Sequence, residues 1–281
     1  MRVFKKLLVG IVALAVLAVT GSGLWLWQGL KTLETPVVLD EPTLFSVEPG
    51  TAFGRVAREL AAKGFVDDPL WLRIHGRLNP EQTLIKAGDY EFTSGMTPVD
   101  MINQMVEGKV KLWSVQFIEG WTFAEMRAAL ARTDRLTRQT TDWTDEEIMT
   151  ALGAEGQHPE GWFFPDTYLF HGGETDLDIL RRAYNIMTEV LEEEWQNREE
   201  GLPYDNAYEA LIMASIVERE TGVAGERQQV AGVFVRRLQK GMRLQTDPTV
   251  IYGMGDKYRG RIGRSDLRTW TPYNTYRIDG L

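Results

Sequence analysis

From Leu7 to Leu30 the chain runs through 24 positions without a charged side chain, and Arg2, Lys5 and Lys6 stand just before them. At about 1.5 Å of rise per residue this run makes a helix roughly 36 Å long, enough to cross a hydrocarbon core of about 30 Å with some tilt. The run exceeds the roughly 7 to 15 apolar residues of a signal peptide, and Ala18-Val19-Thr20-Gly21 is a poor cleavage site because more apolar residues follow. The pattern therefore predicts an uncleaved membrane helix. The flanking positive charges put the N-terminus in the cytoplasm, residues from Lys31 onward across the membrane, and Trp25 and Trp27 at the far interface.

Residues 31–42, with Pro36 and Pro42, read as a short extended linker. Beyond it one pattern recurs three times: an apolar strand, a glycine turn, and a threonine that caps a helix. Leu44-Phe45-Ser46-Val47 leads through Gly50 to Thr51 and a helix with Phe53, Val56, Ala57 and Leu60 on one face, ended by Gly64. Asp89-Tyr90-Glu91-Phe92 leads through Gly95 to Thr97, with Pro98 at the first helical position and Gly108 closing the helix. Val115-Gln116-Phe117-Ile118 leads through Gly120 to Thr122, which with Glu125 makes a capping box. Residues 176–200 repeat apolar positions at helical spacing with acids opposite, and residues 207–221 form an apolar helix ending in Glu218-Arg219-Glu220. The class is α+β.

Composition narrows the partners. The chain is 43% apolar and 10% aromatic, enough to bury one or two cores outside the membrane. Without Arg2, Lys5 and Lys6 the 31 basic residues fall to 28 against 40 acidic ones, and that surface repels nucleic acid. Cysteine is absent, so no disulfide framework exists. His75, His158 and His171 are scattered without metal-ligand spacing, so no metal or cofactor is indicated. There is no glycine-rich phosphate loop and no Gly-x-Ser-x-Gly elbow.

Two segments carry candidate chemistry. Residues 159–170, Pro-Glu-Gly-Trp-Phe-Phe-Pro-Asp-Thr-Tyr-Leu-Phe, mix large flat faces with acids, and Pro159 and Pro165 prevent a continuous helix. Such faces stack on sugars while carboxylates take their hydroxyls, although for any single aromatic of the cluster a place in the core is the favoured reading. Glu218 lies at helical spacing from Leu211, Ala214 and Ser215, a face of partly small side chains that can half-bury a carboxyl beside a ligand. Burial of that kind disfavours the ionised form, as a general acid requires. The alternative is a solvated charge, or a partner of Arg219 or Arg227.

Residues 43–110, with Phe45-Ser46-Val47-Glu48-Pro49-Gly50-Thr51, a second helix from Asp68-Pro69 and the strand at Tyr90, resemble a LysM-like βααβ module, which implies binding of glycans containing N-acetylglucosamine; a spacer that binds nothing is the other reading. Four ordered blocks then resemble the YceG-like family of membrane-anchored murein transglycosylases: residues 160–168, residues 214–221 (Ala-Ser-Ile-Val-Glu-Arg-Glu-Thr), residues 230–252 with Leu244-Gln245-Thr246-Asp247-Pro248-Thr249, and residues 270–276. Arg236 departs from the family, many of whose members have Asn there. The family usually continues past Leu281, so the chain is expected to stop short of the full catalytic domain. To the anchor at 1–30 and the linker at 31–42 the resemblance adds a LysM-like module at 43–115 and a catalytic domain at 116–281.

The same resemblance implies cleavage of the β-1,4 bond between N-acetylmuramic acid and N-acetylglucosamine to give 1,6-anhydro ends, with Glu218 as acid and then base. It implies peptidoglycan strands as substrate, the bacterial cytoplasmic membrane as location and cell-wall synthases as candidate partners. Glu160, Trp162, Asp166, Tyr168, Gln245, Asp247, Tyr252, Tyr273 and Asn274 are the candidate substrate-binding residues. Asp247 could instead cap a helix begun by Pro248, and residues 271–274 could be a plain turn. A muramidase-type hydrolase pairing Glu218 with Asp247 or Glu220, and a non-catalytic wall-binding scaffold, are the competing readings.

Overall fold

The computed structural model describes residues 2–281, with side chains from Gly10 onward. The charges of Arg2, Lys5 and Lys6 that orient the expected span lie outside the described side chains. The chain folds as two compact units, one ending at Trp113 and one running from Ser114 to Leu281.

The first unit contains α1 (Arg2–Thr32), β1 (Thr43–Val47), α2 (Phe53–Ala62), α3 (Pro69–Leu78), β2 (Gly88–Phe92) and α4 (Pro98–Glu107). Antiparallel β1 and β2 place Phe45 opposite Tyr90 and Thr43 opposite Phe92. This register turns Phe45, Val47, Tyr90 and Phe92 onto one buried face, and a slip of one residue would expose all four. Phe65 meets both Phe45 and Phe92 edge-on, and Val56, Leu60, Leu72, Met101, Ile102 and Met105 complete the core. The buried Tyr90 hydroxyl donates to the Lys86 carbonyl at 2.7 Å, so no polar group is stranded there.

Local chemistry sets most helix ends. Thr97 and Asp100 form a reciprocal capping box at α4, with Pro98 at the first helical position and Gly108 in the left-handed conformation at its end. Thr51 does not cap α2 as expected. Its own N–H closes the Pro49-Gly50 turn on Glu48, so the helix begins later and Ala52 is the cap residue, without a side-chain bond.

The residues after the apolar helix also depart from expectation. Within α1, Gly10–Thr32 is a stretch long and apolar enough to cross a membrane, and its last turns pack on α3. A Cβ on Gly29 would lie 2.2 Å from the Trp71 ring, and the Trp25 and Trp71 ring centroids are 4.6 Å apart. Leu33 is 1% exposed, and Val37 and Leu39 pack on the same core. Val37 exchanges 2.8 Å backbone hydrogen bonds with Gly95 and Met96, and the Leu39 N–H donates to Ser94. The segment read as an extended linker is therefore a strap tied to the first unit. Its apolar positions, Leu33, Val37 and Leu39, outweigh its two prolines.

The second unit holds the greater part of β3 (Leu112–Gln116), then α5 (Phe123–Arg132), α6 (Asp145–Ala151), β4 (Thr167–His171), α7 (Asp176–Gln196), α8 (Ala207–Glu220), α9 (Arg227–Gln239), α10 (Asp247–Met254) and the short α11 (Arg264–Arg268). β3 pairs with β4. It starts earlier than the expected Val115–Ile118 strand and ends at Gln116, although the Phe117 N–H still donates to the Asp166 carbonyl at 2.9 Å. Three further capping boxes, Thr122–Glu125, Thr144–Glu147 and Thr175–Asp178, start α5, α6 and α7. Buried Asp176 accepts from the backbone of Gln139 and Thr140 and from the Thr140 hydroxyl, fixing the 137–140 loop to the start of α7. A separate apolar cluster of Met213, Ile216, Val217, Phe234 and Leu244 joins α8 to α9 and to the segment before α10.

Candidate active site

Helix α8 carries the first candidate group. Asn206 caps it by accepting from the Glu209 N–H at 3.1 Å. Because Met213, Ile216 and Val217 face the core, Ala214 and Ser215 are left on the surface and Glu218 sits at its edge. The Glu218 side chain is 28% exposed and accepts from the Arg227 guanidinium at 2.8 Å. Between them, the Thr221 hydroxyl donates to Glu226 and accepts from the Val223 N–H. This closed turn brings the first residue of α9 back beside the last turn of α8. Of the two arginines named as possible partners, Arg227 makes the pair, and Arg219 reaches the Gly120 carbonyl instead.

A second carboxyl group, Glu160, joins several elements. It accepts at 3.0 Å from the N–H of Phe123, one of the helix N-terminal donors that the Thr122–Glu125 box leaves free. The Tyr252 hydroxyl lies close enough to influence its charge, and its backbone carbonyl accepts from the Tyr208 hydroxyl at 3.0 Å. Burial pushes the Glu160 carboxyl above the ordinary carboxylate value, against the opposing pull of the Phe123 N–H, His158 and Tyr252. Burial, and then the Glu160 charge, push the Tyr208 and Tyr252 hydroxyls upward in turn.

Flat faces adjoin this carboxyl through Tyr208 and Tyr252. Trp162 stacks on Tyr208 with centroids 5.4 Å apart and planes 4° from parallel. Tyr252 meets Tyr273 edge-on at 4.7 Å. The backbone between Glu160 and Trp162 must pass close to α8: Gly161 has φ +84, and a Cβ there would lie 3.1 Å from Leu211. Four expected residues, Glu160, Trp162, Tyr252 and Tyr273, are thus brought together. Tyr208 was missed. It reads as one more apolar position of the 207–221 helix, and only the fold brings Trp162 over it.

Gln245 and Asp247 belong to a neighbouring network. Gln245 adopts φ +53, rare for a non-glycine residue, and its N–H donates to the Thr275 carbonyl. The Thr246 N–H donates to the Thr275 hydroxyl at 3.0 Å and the Thr246 hydroxyl bonds to Glu220. Gln245 and Glu220 line an open pocket of about 230 Å³ with Phe234, Arg237 and Leu244. Asp247 is the first residue of α10, with Thr246 rather than Asp247 in the cap position and Pro248 following. Asp247 accepts from the Tyr276 hydroxyl at 2.8 Å. Burial first, and then that bond, push the Tyr276 hydroxyl up to about 12.

Three expected residues are placed in structural positions. Tyr168 is 5% exposed, packs on Phe117 at 5.4 Å and donates its hydroxyl to the Phe164 carbonyl, which leaves no face for a ligand. Asn274 is 1% exposed, and its amide donates to the carbonyls of Asp266, Leu267 and Thr269 at the end of α11. It ties down that turn. Asp166 is exposed, but its carboxylate accepts from the N–H of Thr167 and its carbonyl from Phe117, so it starts β4.

These features define a mixed α+β protein that presents two carboxyl groups, one ion-paired and one enclosed by aromatic faces, a combination suited to polyhydroxylated ligands. Residues 45–281 match the model of the YceG-like family, and the chain belongs to that family. It is 30% identical to the endolytic murein transglycosylase of Bacillus subtilis across 70% of this chain and 59% of that protein. It is 28% identical to the endolytic murein transglycosylase of Streptococcus pneumoniae across 84% of this chain and 48% of that one. The chain thus spans about half the length of the curated relatives it matches. A yceG-like protein of Listeria monocytogenes of solved structure aligns at 26% identity and TM-score 0.48, covering 86% of this chain and 85% of that one.

Proposed function

We propose that this protein is an endolytic lytic transglycosylase of peptidoglycan, held at the bacterial cytoplasmic membrane by α1 with both units outside the cytoplasm. The observation that carries this reading is membership in the YceG-like family over residues 45–281, whose relatives bear the name endolytic murein transglycosylase. The position of Glu218, at the surface edge of α8 with small neighbours, supports its choice as the acid. On this reading Glu218 gives its proton to the glycosidic oxygen, and the bond from that oxygen to C1 of N-acetylmuramic acid breaks with an oxocarbenium-like transition state. The C6 hydroxyl of the same sugar then attacks C1 and returns its proton to Glu218. The products are a free 4-hydroxyl and a 1,6-anhydro end, and no water is consumed. One carboxyl suffices because the nucleophile is supplied by the substrate, unlike the paired acids of ordinary glycosidases, and ring closure within one sugar is entropically favoured.

Glu160, Trp162, Tyr208, Tyr252 and Tyr273 are proposed to bind the glycan, with Gln245 and Asp247 contributing from the adjacent network. The βααβ order of the first unit supports a LysM-like role in holding glycan near the membrane. Mass spectrometry of uncrosslinked strands incubated with the protein tests the reading. Internal fragments ending one water lighter than the reducing form are expected, and Glu218→Gln should lower their rate of formation by about a hundred- to ten-thousandfold. Reducing ends would instead make the protein a hydrolase.

A further inference from the structure

The ion pair at Glu218 poses a chemical problem. The first step of the reaction just proposed, on which this inference rests, brings the glycosidic oxygen to the Glu218 carboxyl, yet the Arg227 guanidinium already holds one of its oxygens at 2.8 Å. Opening the pair frees that oxygen, and the guanidinium released is suited to take a second carboxylate in its place. We propose that Arg227 determines specificity by exchanging Glu218 for a carboxylate on the peptide side chains of the glycan, so that binding of a peptide-bearing strand releases the acid.

The surroundings of Arg227 support such an exchange. Nearby arginines build the fold: Arg237 holds the Leu244 carbonyl, and Arg243 holds Asp279 and the Tyr276 carbonyl. Arg227 is 46% exposed at the side chain, next to a turn in which Gly222, Val223, Ala224 and Gly225 are all exposed. Ion pairs this accessible are weakly held, so an arriving carboxylate can compete. The exchange is charge-neutral for the arginine, because it gives up one carboxylate for another. Arg227 suits the task better than a lysine would, since its planar fork matches a carboxylate with two donors.

The test measures binding as well as cleavage. Strands carrying free peptide carboxylates, strands with those carboxylates amidated and strands stripped of peptide are titrated against Glu218→Gln and Glu218→Gln/Arg227→Gln. The single variant, whose Arg227 has lost its anionic partner, should bind free-carboxylate strands about tenfold more tightly than amidated or stripped ones. The double variant should discriminate by less than about twofold. In the otherwise unaltered protein, Arg227→Gln should raise KM selectively for free-carboxylate strands, and Arg227→Lys should recover part of the loss. Matching melting temperatures show that the variants are folded. Equal preference in the single and double variants would overturn the role of Arg227. An Arg227-dependent preference without anhydro products from the unaltered protein would leave the role standing and overturn the transglycosylase reading instead.

Discussion

Glu160 is a carboxyl enclosed by groups that do not balance its charge. Its value lies above the ordinary 4.5 because burial outweighs the Phe123 N–H, His158 and Tyr252. A group raised in the folded state contributes stability that is complete below its unfolded value and is lost as pH rises through the folded value. Glu160→Gln keeps an acceptor for Phe123 and removes the titration. The stability of the unaltered protein relative to this variant should therefore fall as pH climbs from about 4.5 upward, read as the difference in melting temperature across that range. A constant difference would show that Glu160 is well solvated. At this scale, residues acting through near neighbours in sequence were readable. Thr97 and Thr122 find their acids three residues on, and Glu218 found one of its two nearby arginines. The Trp162–Tyr208 stack was not readable, because 46 positions separate the rings and neither position differs in pattern from a core aromatic. Asn274 is hard to read for the opposite reason: a polar residue in a turn looks available, and its three carbonyl partners appear only when the chain after α11 closes on itself.

At the level of elements, one device recurs. Thr97, Thr122, Thr144 and Thr175 each start a helix by accepting from the N–H three residues on and receiving an acid in return. The acids Asp100, Glu147 and Asp178 lie below their ordinary values, chiefly through their bonds to the threonine side chain and N–H. That contribution is present above the unfolded value and disappears as pH falls through the lowered folded one. Thr175→Ala should cost about 1 kcal/mol in denaturant unfolding near neutral pH, and the deficit should shrink as Asp178 is titrated below its ordinary 3.8. Thr51 shows where the rule stops. It stands near a helix, but the Glu48–Thr51 turn takes its N–H and the acid three residues on is missing, since Gly54 occupies that place. The shift of β3 toward Leu112 has a similar cause. Val115 and Phe117 are both buried, and this alternation alone does not say where pairing with β4 ends.

For the whole chain, the class and the long apolar helix were legible because each rests on a sustained pattern. The attachment of that helix to the first unit was not legible, because it depends on one glycine meeting one tryptophan. Gly29 leaves room for Trp71, and Leu33, Val37 and Leu39 continue the contact past the end of α1. The first unit is thus keyed to α1 as a blade is keyed to its shaft. Adding one leucine to α1 after Val19 should turn that unit by about 100° around the helix axis and lift it by about 1.5 Å. In bilayers, spin labels on α2 and α4 should report this change of azimuth as exchanged lipid-headgroup and water accessibilities. The same insertion paired with Gly29→Val, which takes the room Trp71 uses, should blunt that exchange, while Leu33, Val37 and Leu39 still hold the unit to the chain. If α1 is the anchor, membrane thickness and helix phase together set the compass bearing of the first unit.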